Sequence, residues 1–185
     1  THCYNPDLLK GKRALVTGGG TGIGRAIAFE LARAGATVTI AARQVEPLQA
    51  TAEAIASETQ RPVKTRLVDI RDLDSVAQLA AALETEDGQT DILINNAGGQ
   101  FPQAAENYSP KGWRTIIDLN LNGTWNMTQA LGQQMLKGRG GVILNIIMTI
   151  GRGNPGIAHS GAARAGVAEM TRSLSYEWGP KVRVN

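Results

Sequence analysis

Cysteine is almost missing. Cys3 stands alone among 185 residues, so no internal disulfide forms, a disulfide scaffold is excluded, and a reducing compartment fits. No window of the sequence holds 18 uninterrupted apolar residues, so no membrane span is expected. Thr1–Lys10 has no apolar core like that of a signal peptide. Low-complexity segments are missing too, as is any repeat at a solenoid period. The net charge is only +3, from 19 Lys and Arg against 16 Asp and Glu. Those basic residues are scattered, which argues against nucleic acid as a partner. What is present is ordinary for a globular protein: 42% hydrophobic and 19% charged residues. The length suits one domain, residues 1–185, able to bury a core.

Short β-branched runs alternate with longer alanine-rich stretches of helical period. Strands are predicted at Arg13–Val16, Thr37–Ala41, Val63–Val68, Asp91–Asn95, Gly141–Ile147 and Val182–Val184. Helices are predicted over about Gly22–Ala34, from Pro47 onward, and over Leu73–Glu86, Lys111–Lys137 and Ile157–Trp178. Strands this apolar imply a parallel sheet with helices on both faces. The expected fold is α/β: a doubly wound parallel sheet of Rossmann type, strand order 3-2-1-4-5-6. The sequence stops inside the sixth predicted strand, and a C-terminal portion is expected beyond it.

Thr17–Gly24 reads TGGGTGIG, directly after a strand and before a helix. Glycines there let the backbone turn tightly and approach a pyrophosphate, while the helix start offers free N–H groups and a positive dipole end. Thr17, Gly18, Gly20, Thr21, Gly22, Ile23 and Gly24 are therefore candidate cofactor-binding residues. A glycine-rich turn without a ligand is the bland alternative.

The glycines Gly18, Gly22 and Gly24 fall as GxxxGxG, unlike the GxGxxG of long-chain dehydrogenases. With Asn95–Gly98 (NNAG) and the DLNLNGTW stretch around Asn120, the chain resembles the short-chain dehydrogenase/reductase family from about Leu8 to Asn185. The resemblance implies that Asp69 and Ile70, after the third strand, contact the adenine ring. It implies cofactor contacts from Asn95, Ala97 and Gly98, and places Asn120 in the catalytic machinery. It also implies a homo-oligomer, in particular a tetramer, joined through the two long helices, where Gly161, Ala162, Ala163, Ala165 and Gly166 allow close approach.

NAD-specific relatives end the second strand with a carboxylate that binds the ribose 2′-hydroxyl. Here that strand ends Ala41-Ala42-Arg43, and no acidic residue lies between Glu30 and Glu46. An arginine pairs with a 2′-phosphate through its planar fork, so NADP(H) is the expected cofactor. A solvated surface arginine is the competing reading of Arg43.

The catalytic helix departs from the family pattern. Aligned on Ala165-Gly166-Val167, Ser160 takes the place of the usual tyrosine and Arg164 that of the usual lysine. The serine at the end of the fifth strand is replaced by Ile147 and Met148, with Thr149 the nearest hydroxyl. Ser160 and Arg164 are four residues apart and share a helix face. A serine is a poor acid and an arginine does not deprotonate at working pH, so the pair is ill suited to protonating an alkoxide. It is suited to holding an enolate while a conjugated carbon–carbon double bond is reduced. HSGAARAGV, NNAGGQF, KGW and EWG together resemble the peroxisomal trans-2-enoyl-CoA reductases and the related 2,4-dienoyl-CoA reductases, though Ala168 stands where the former imply a tyrosine.

The implied activity is NADPH-dependent reduction of an enoyl- or dienoyl-CoA, with an acyl-CoA as the small-molecule partner and Arg164 also touching the nicotinamide ribose. The implied location is the cytoplasm or the peroxisomal matrix. Phe101, after a strand's carboxyl end, is a candidate for contact with the acyl chain. His159 is a candidate substrate residue or a packing residue. No metal site is expected. An alcohol or ketone dehydrogenase, and a nucleotide-binding protein without turnover, remain as competing functions.

Overall fold

The structure is a computed structural model that describes residues 5–148 and 153–185; Cys3, His2 and Thr149 lie outside the described residues. Six parallel strands form one sheet: β1 (Arg13–Thr17), β2 (Thr37–Ala42), β3 (Lys64–Leu67), β4 (Ile92–Asn95), β5 (Gly141–Asn145) and β6 (Val182–Val184). Their order is β3-β2-β1-β4-β5-β6, as the alternation of elements predicts. Successive residues of β1 feed opposite cores. Ala14 and Val16 pack with α1 (Gly22–Arg33) and α2 (Val45–Thr59). Leu15 packs on the other face, where α3 (Leu73–Ala82), α5 (Gly123–Lys137) and α6 (Ala158–Trp178) supply Leu79, Leu131 and Leu174. Leu15, Leu93 and Ile143 are fully buried, and each such side chain contributes roughly 1.5–3 kcal/mol.

The chain winds from β1 outward to β3, then returns to β4 on the other side of β1. This reversal opens a crevice at the carboxyl ends of β1 and β4, where open α/β sheets hold ligands.

Three expectations change. Val45, not Pro47, begins α2, and Pro47 is its third residue, where a missing N–H is still harmless. β3 is not apolar: Lys64 and Thr65 are exposed and Arg66 is partly exposed, because β3 is the sheet's edge. The long predicted helix is divided into α4 (Pro110–Ile117) and α5 by a π-helical turn, Asp118–Asn122. Such turns are common at functional sites, and this one carries Asn120, 1% exposed. Two helix starts are capped as their sequences dictate: Asp72 accepts the N–H groups of Asp74 and Ser75, and Ser109 accepts that of Gly112 ahead of Pro110.

Candidate active site

The β1–α1 turn folds onto the end of β4. Gly18 has a φ of +65°, a region that side chains disfavour. A Cβ on Gly24 would stand 2.3 Å from the Gly18 carbonyl oxygen, so the first helical turn can pack this closely only as glycine. Thr17 locks the turn from below. Its hydroxyl donates to the Ile94 carbonyl at 3.2 Å and accepts the N–H groups of Asn96 at 3.0 Å and Ala97 at 3.1 Å. The Asn96 amide donates to the carbonyls of Thr17 and Gly18. Thr17 is thus a strut that sets the loop; it does not line the cleft. Asn96, which the sequence reading passed over, is the asparagine of the pair that touches the glycine turn.

A cleft of about 170 Å³ opens above this turn. Gly18, Gly20 and Thr21 form one wall, Arg43 and Asp69 close one end, and Ala97 and Gly98 lie at the other. Thr21 precedes α1 with extended backbone and makes no cap bond, leaving its hydroxyl and the first helical N–H groups for a ligand. Gly22 and Ile23 begin α1; Ile23 is 63% exposed and neither lines the cleft. Arg43 is exposed and has no ion-pair partner among the described residues. Asp69 is engaged by Arg71, whose Nε donates to one carboxylate oxygen at 2.9 Å and whose Nη2 donates to the other at 2.5 Å. That guanidinium holds the Asp69 carboxyl down at about 2. Ile70 is buried, and its carbonyl accepts from Asn126.

Asn95 is not brought into the cleft. Its amide nitrogen donates inward to Thr128 and Asn145, bridging α5 and β5. The side chain of the first asparagine of a β-strand end points opposite to that of the next, and here Asn96 takes the outward place.

Asn120, Ser160 and Arg164 do converge. The Asn120 carbonyl oxygen accepts from Gly99 N–H at 3.0 Å and from Arg164 Nη2 at 3.3 Å. The Asn120 amide donates to the Gly99 carbonyl at 2.8 Å and reaches Ser160 Oγ at 3.4 Å. Gly98 makes room: a Cβ there would lie 2.0 Å from Arg164 Nη2. Arg164 is only 8% exposed, and its Nη1 has no partner among the described residues. Burial lowers the pKa of the guanidinium, yet an arginine stays charged. A buried cation without a carboxylate is costly, and here it sits beside a hydroxyl and an amide, packed against Gly98 of the cleft wall, while Asn120, Ser160 and Arg164 do not themselves line the cleft.

His159 is buried completely. Its Nδ1 accepts the Ser160 N–H at 2.8 Å, its ring stacks on Tyr108 at 4.5 Å, and the edge-on Phe101 ring lies at 4.6 Å. The Tyr108 hydroxyl accepts the Ala158 N–H. His159 and Tyr108 therefore fasten the first turn of α6. Phe101 spends part of its surface on this cluster and is partly exposed. Tyr108 carried no sequence signal, because its partners lie 48 and 50 residues away.

The site's surroundings match known proteins. The sequence profile of the short chain dehydrogenase family fits residues 12–185. An uncharacterized oxidoreductase of Caenorhabditis elegans is 44% identical over 94% of this chain and 56% of its own length. The peroxisomal 2,4-dienoyl-CoA reductase of Danio rerio is 41% identical over 100% of this chain and 62% of its own. The chain thus spans about three fifths of these relatives. The structure of a citronellol catabolism dehydrogenase from Pseudomonas aeruginosa superimposes with a TM-score of 0.94 and 38% identity, covering 99% of this chain and 75% of that one. A glycine turn on β1, the doubly wound sheet and these likenesses agree: the chain belongs to the short-chain dehydrogenase family, whose members are oxidoreductases using nicotinamide dinucleotides.

Proposed function

We propose that this protein reduces a carbon–carbon double bond conjugated to the thioester of an acyl-CoA, with NADPH as the cofactor. The observation that carries the reading is Arg164: a buried, carboxylate-free cation held beside Ser160 Oγ and Asn120 in place of a tyrosine–lysine pair. The resemblance to 2,4-dienoyl-CoA reductases supports the same substrate class.

The cleft's residues fit the cofactor. The glycine turn and the free N–H groups of α1 suit a pyrophosphate, Arg43 a 2′-phosphate, and Asp69 with Ile70 the adenine end. Ala97, Gly98 and Arg164 suit the nicotinamide riboside. The bound cofactor supplies the hydride. As the double bond accepts it, negative charge develops on the thioester oxygen. Ser160 Oγ–H and the Arg164 guanidinium are donors fixed before the reaction, and fixed donors aimed at developing charge are a large source of rate. Asn120 holds Arg164 through its carbonyl oxygen. A proton from water completes the α-carbon.

The test is a panel that follows NADPH and NADH oxidation with a trans-2-enoyl-CoA, a 2,4-dienoyl-CoA, several ketones and an aldehyde, plus NADP+ reduction with a citronellol-type alcohol. Turnover with either CoA thioester, faster with NADPH, is the expected result. Brisk ketone or alcohol turnover without thioester turnover would favour an alcohol dehydrogenase, the reading that the citronellol enzyme supports. A homotetramer is part of the proposal: Ala162 and Ala165 form an exposed small-residue face on α6, and light scattering of the purified protein checks it.

A further inference from the structure

Arg43 and Asp69 leave neighbouring strands side by side. Ala42 pairs with Leu67 in register, the Val68 N–H donates to the Ala42 carbonyl, and both Arg43 and Asp69 then line the same end of the cleft. An anion bound by Arg43 there shares its end of the cleft with a carboxylate. Two outcomes of that arrangement would be harmful to a phosphate ligand. Asp69 could take Arg43 for itself, or it could repel the incoming anion.

Arg71 is the cation that Asp69 engages. Its Nε and Nη2 occupy both oxygens of Asp69, and its own N–H donates to one of them at 3.1 Å. The residue between them is pinned: Ile70 is buried, and Asp72 N–H donates to the Asp69 carbonyl. The Asp69 N–H is tied to Ser75 Oγ. Asp69 is thus held on the Arg71 side; Arg43 also favours the Asp69 charge through space, though less than Arg71 does, and forms no ion pair among the described residues. The remaining charges near Arg71 come from the facing elements. Asp72 is spent as the cap of α3, and Asp118 accepts from Asn122.

The geometry points to Arg71 as a specificity-determining residue: it neutralises and turns Asp69, so that Arg43 stays free for the 2′-phosphate of the cofactor. Arg71 acts through Asp69 and is a positioning residue. The inference rests on the NADPH reading above and assigns the phosphate preference to two arginines where sequence reasoning named one. Arg71 lies outside the glycine, β2-end and NNAG motifs, so its sequence position gave no sign of this role.

Affinities measured by calorimetry test it, with NADPH, NADH and the fragments 2′,5′-ADP and 5′-ADP as probes. The proteins are wild type, Arg71→Gln, Asp69→Asn and the double variant. Arg71→Gln is expected to weaken NADPH and 2′,5′-ADP by about two- to fivefold, the range of a partly exposed charge pair, and to leave NADH and 5′-ADP nearly unchanged. Asp69→Asn in the Arg71→Gln background is expected to restore the phosphate preference, because no carboxylate remains to neutralise. If wild type binds NADPH and NADH equally, the cofactor reading fails and this inference with it. If wild type prefers NADPH but Arg71→Gln keeps that preference, the Arg71 role alone is overturned. Equal weakening of all four probes without rescue by Asp69→Asn also overturns it, since that is the signature of a merely structural ion pair.

Discussion

Thr17 and Arg164 are both buried, both polar, and both within a few residues of the cleft, yet their surroundings are opposite. The Thr17 hydroxyl has a donor role and two acceptor roles, all filled by the protein itself. Among the described residues, Arg164 has a charge with no counterion and an Nη1 with no partner. His159, one turn earlier on α6, repeats the pattern with an unpartnered Nε2. The glycine turn is complete without a ligand. The corner where α6 meets the π-helical turn is not, and it gains its missing partners only when something polar enters. One region therefore contributes stability and presents a rigid cradle, whereas the other gives up stability and presents chemistry.

The largest expected effect breaks the catalytic corner. Ser160→Ala removes one donor for the enolate, and turnover with a CoA thioester should fall by about a hundred- to a thousandfold. NADPH affinity, read by fluorescence, should stay near wild type; an unchanged turnover number would remove Ser160 from the site. Next come two substitutions expected to act in opposite directions on stability. Thr17→Val leaves the Ile94 carbonyl and the N–H groups of Asn96 and Ala97 without their partner, at about 2–3 kcal/mol or more. Arg164→Met removes a buried unpaired charge and keeps the aliphatic stem, which should stabilise by about 1 kcal/mol or more. Urea melts of the protein without cofactor check both, and turnover should be lost in the more stable variant. Two losses of similar size would erase the contrast. Arg43→Asp is expected to be milder overall, weakening NADPH by about ten- to a hundredfold and NADH far less, as a charge-assisted bond predicts. Equal loss for both cofactors would leave Arg43 as a surface cation.

How much of this was legible in the sequence follows from the same contrast. The strand order and the glycine turn were legible because they depend on local features: period, β-branched runs and a small-residue loop between them. The pairing of Ser160 with Arg164 was legible because helical spacing is local too. That the Asn95 side chain turns inward and that of Asn96 toward the glycine turn is not legible, because two adjacent asparagines look alike in sequence and only the pleat decides which faces the core. The polar edge strand β3 was read as apolar from its flanks Val63 and Val68, outside its actual span. The π-helical turn that carries Asn120 has no signature distinguishing it from an α-helix. Tyr108 and Asn96 act through partners about 50 and 79 residues away, a distance that no local pattern spans. Arg71 was invisible for another reason: its partner is only two residues away, but its meaning depends on the strand beside it.

The smallest expected effect concerns acid, and it separates the two ends of the cleft. Arg71 holds the Asp69 carboxyl at about 2 against an ordinary 3.8. A carboxyl with a depressed pKa stabilises the fold above its unfolded value. That contribution is lost as the pH falls from about 4 toward 2, because the unfolded chain takes up the proton first. The pair is about a third exposed on both sides, at 35% and 30%, so solvent screens it and its worth is under about 1 kcal/mol. Arg164 has no such window: its pKa is lowered by burial, but an arginine does not titrate in acid. Wild type should therefore exceed Asp69→Asn in stability at pH 7 by a small margin, and the two should converge as the pH approaches 2. The corresponding difference between wild type and Arg164→Met should stay level over the same range. Denaturant melts at pH 7, 4, 3 and 2.5 would decide the matter, and a margin for Asp69 that persists undiminished to pH 2.5 would mean that Arg71 does not hold the carboxylate in solution as it does in the structure.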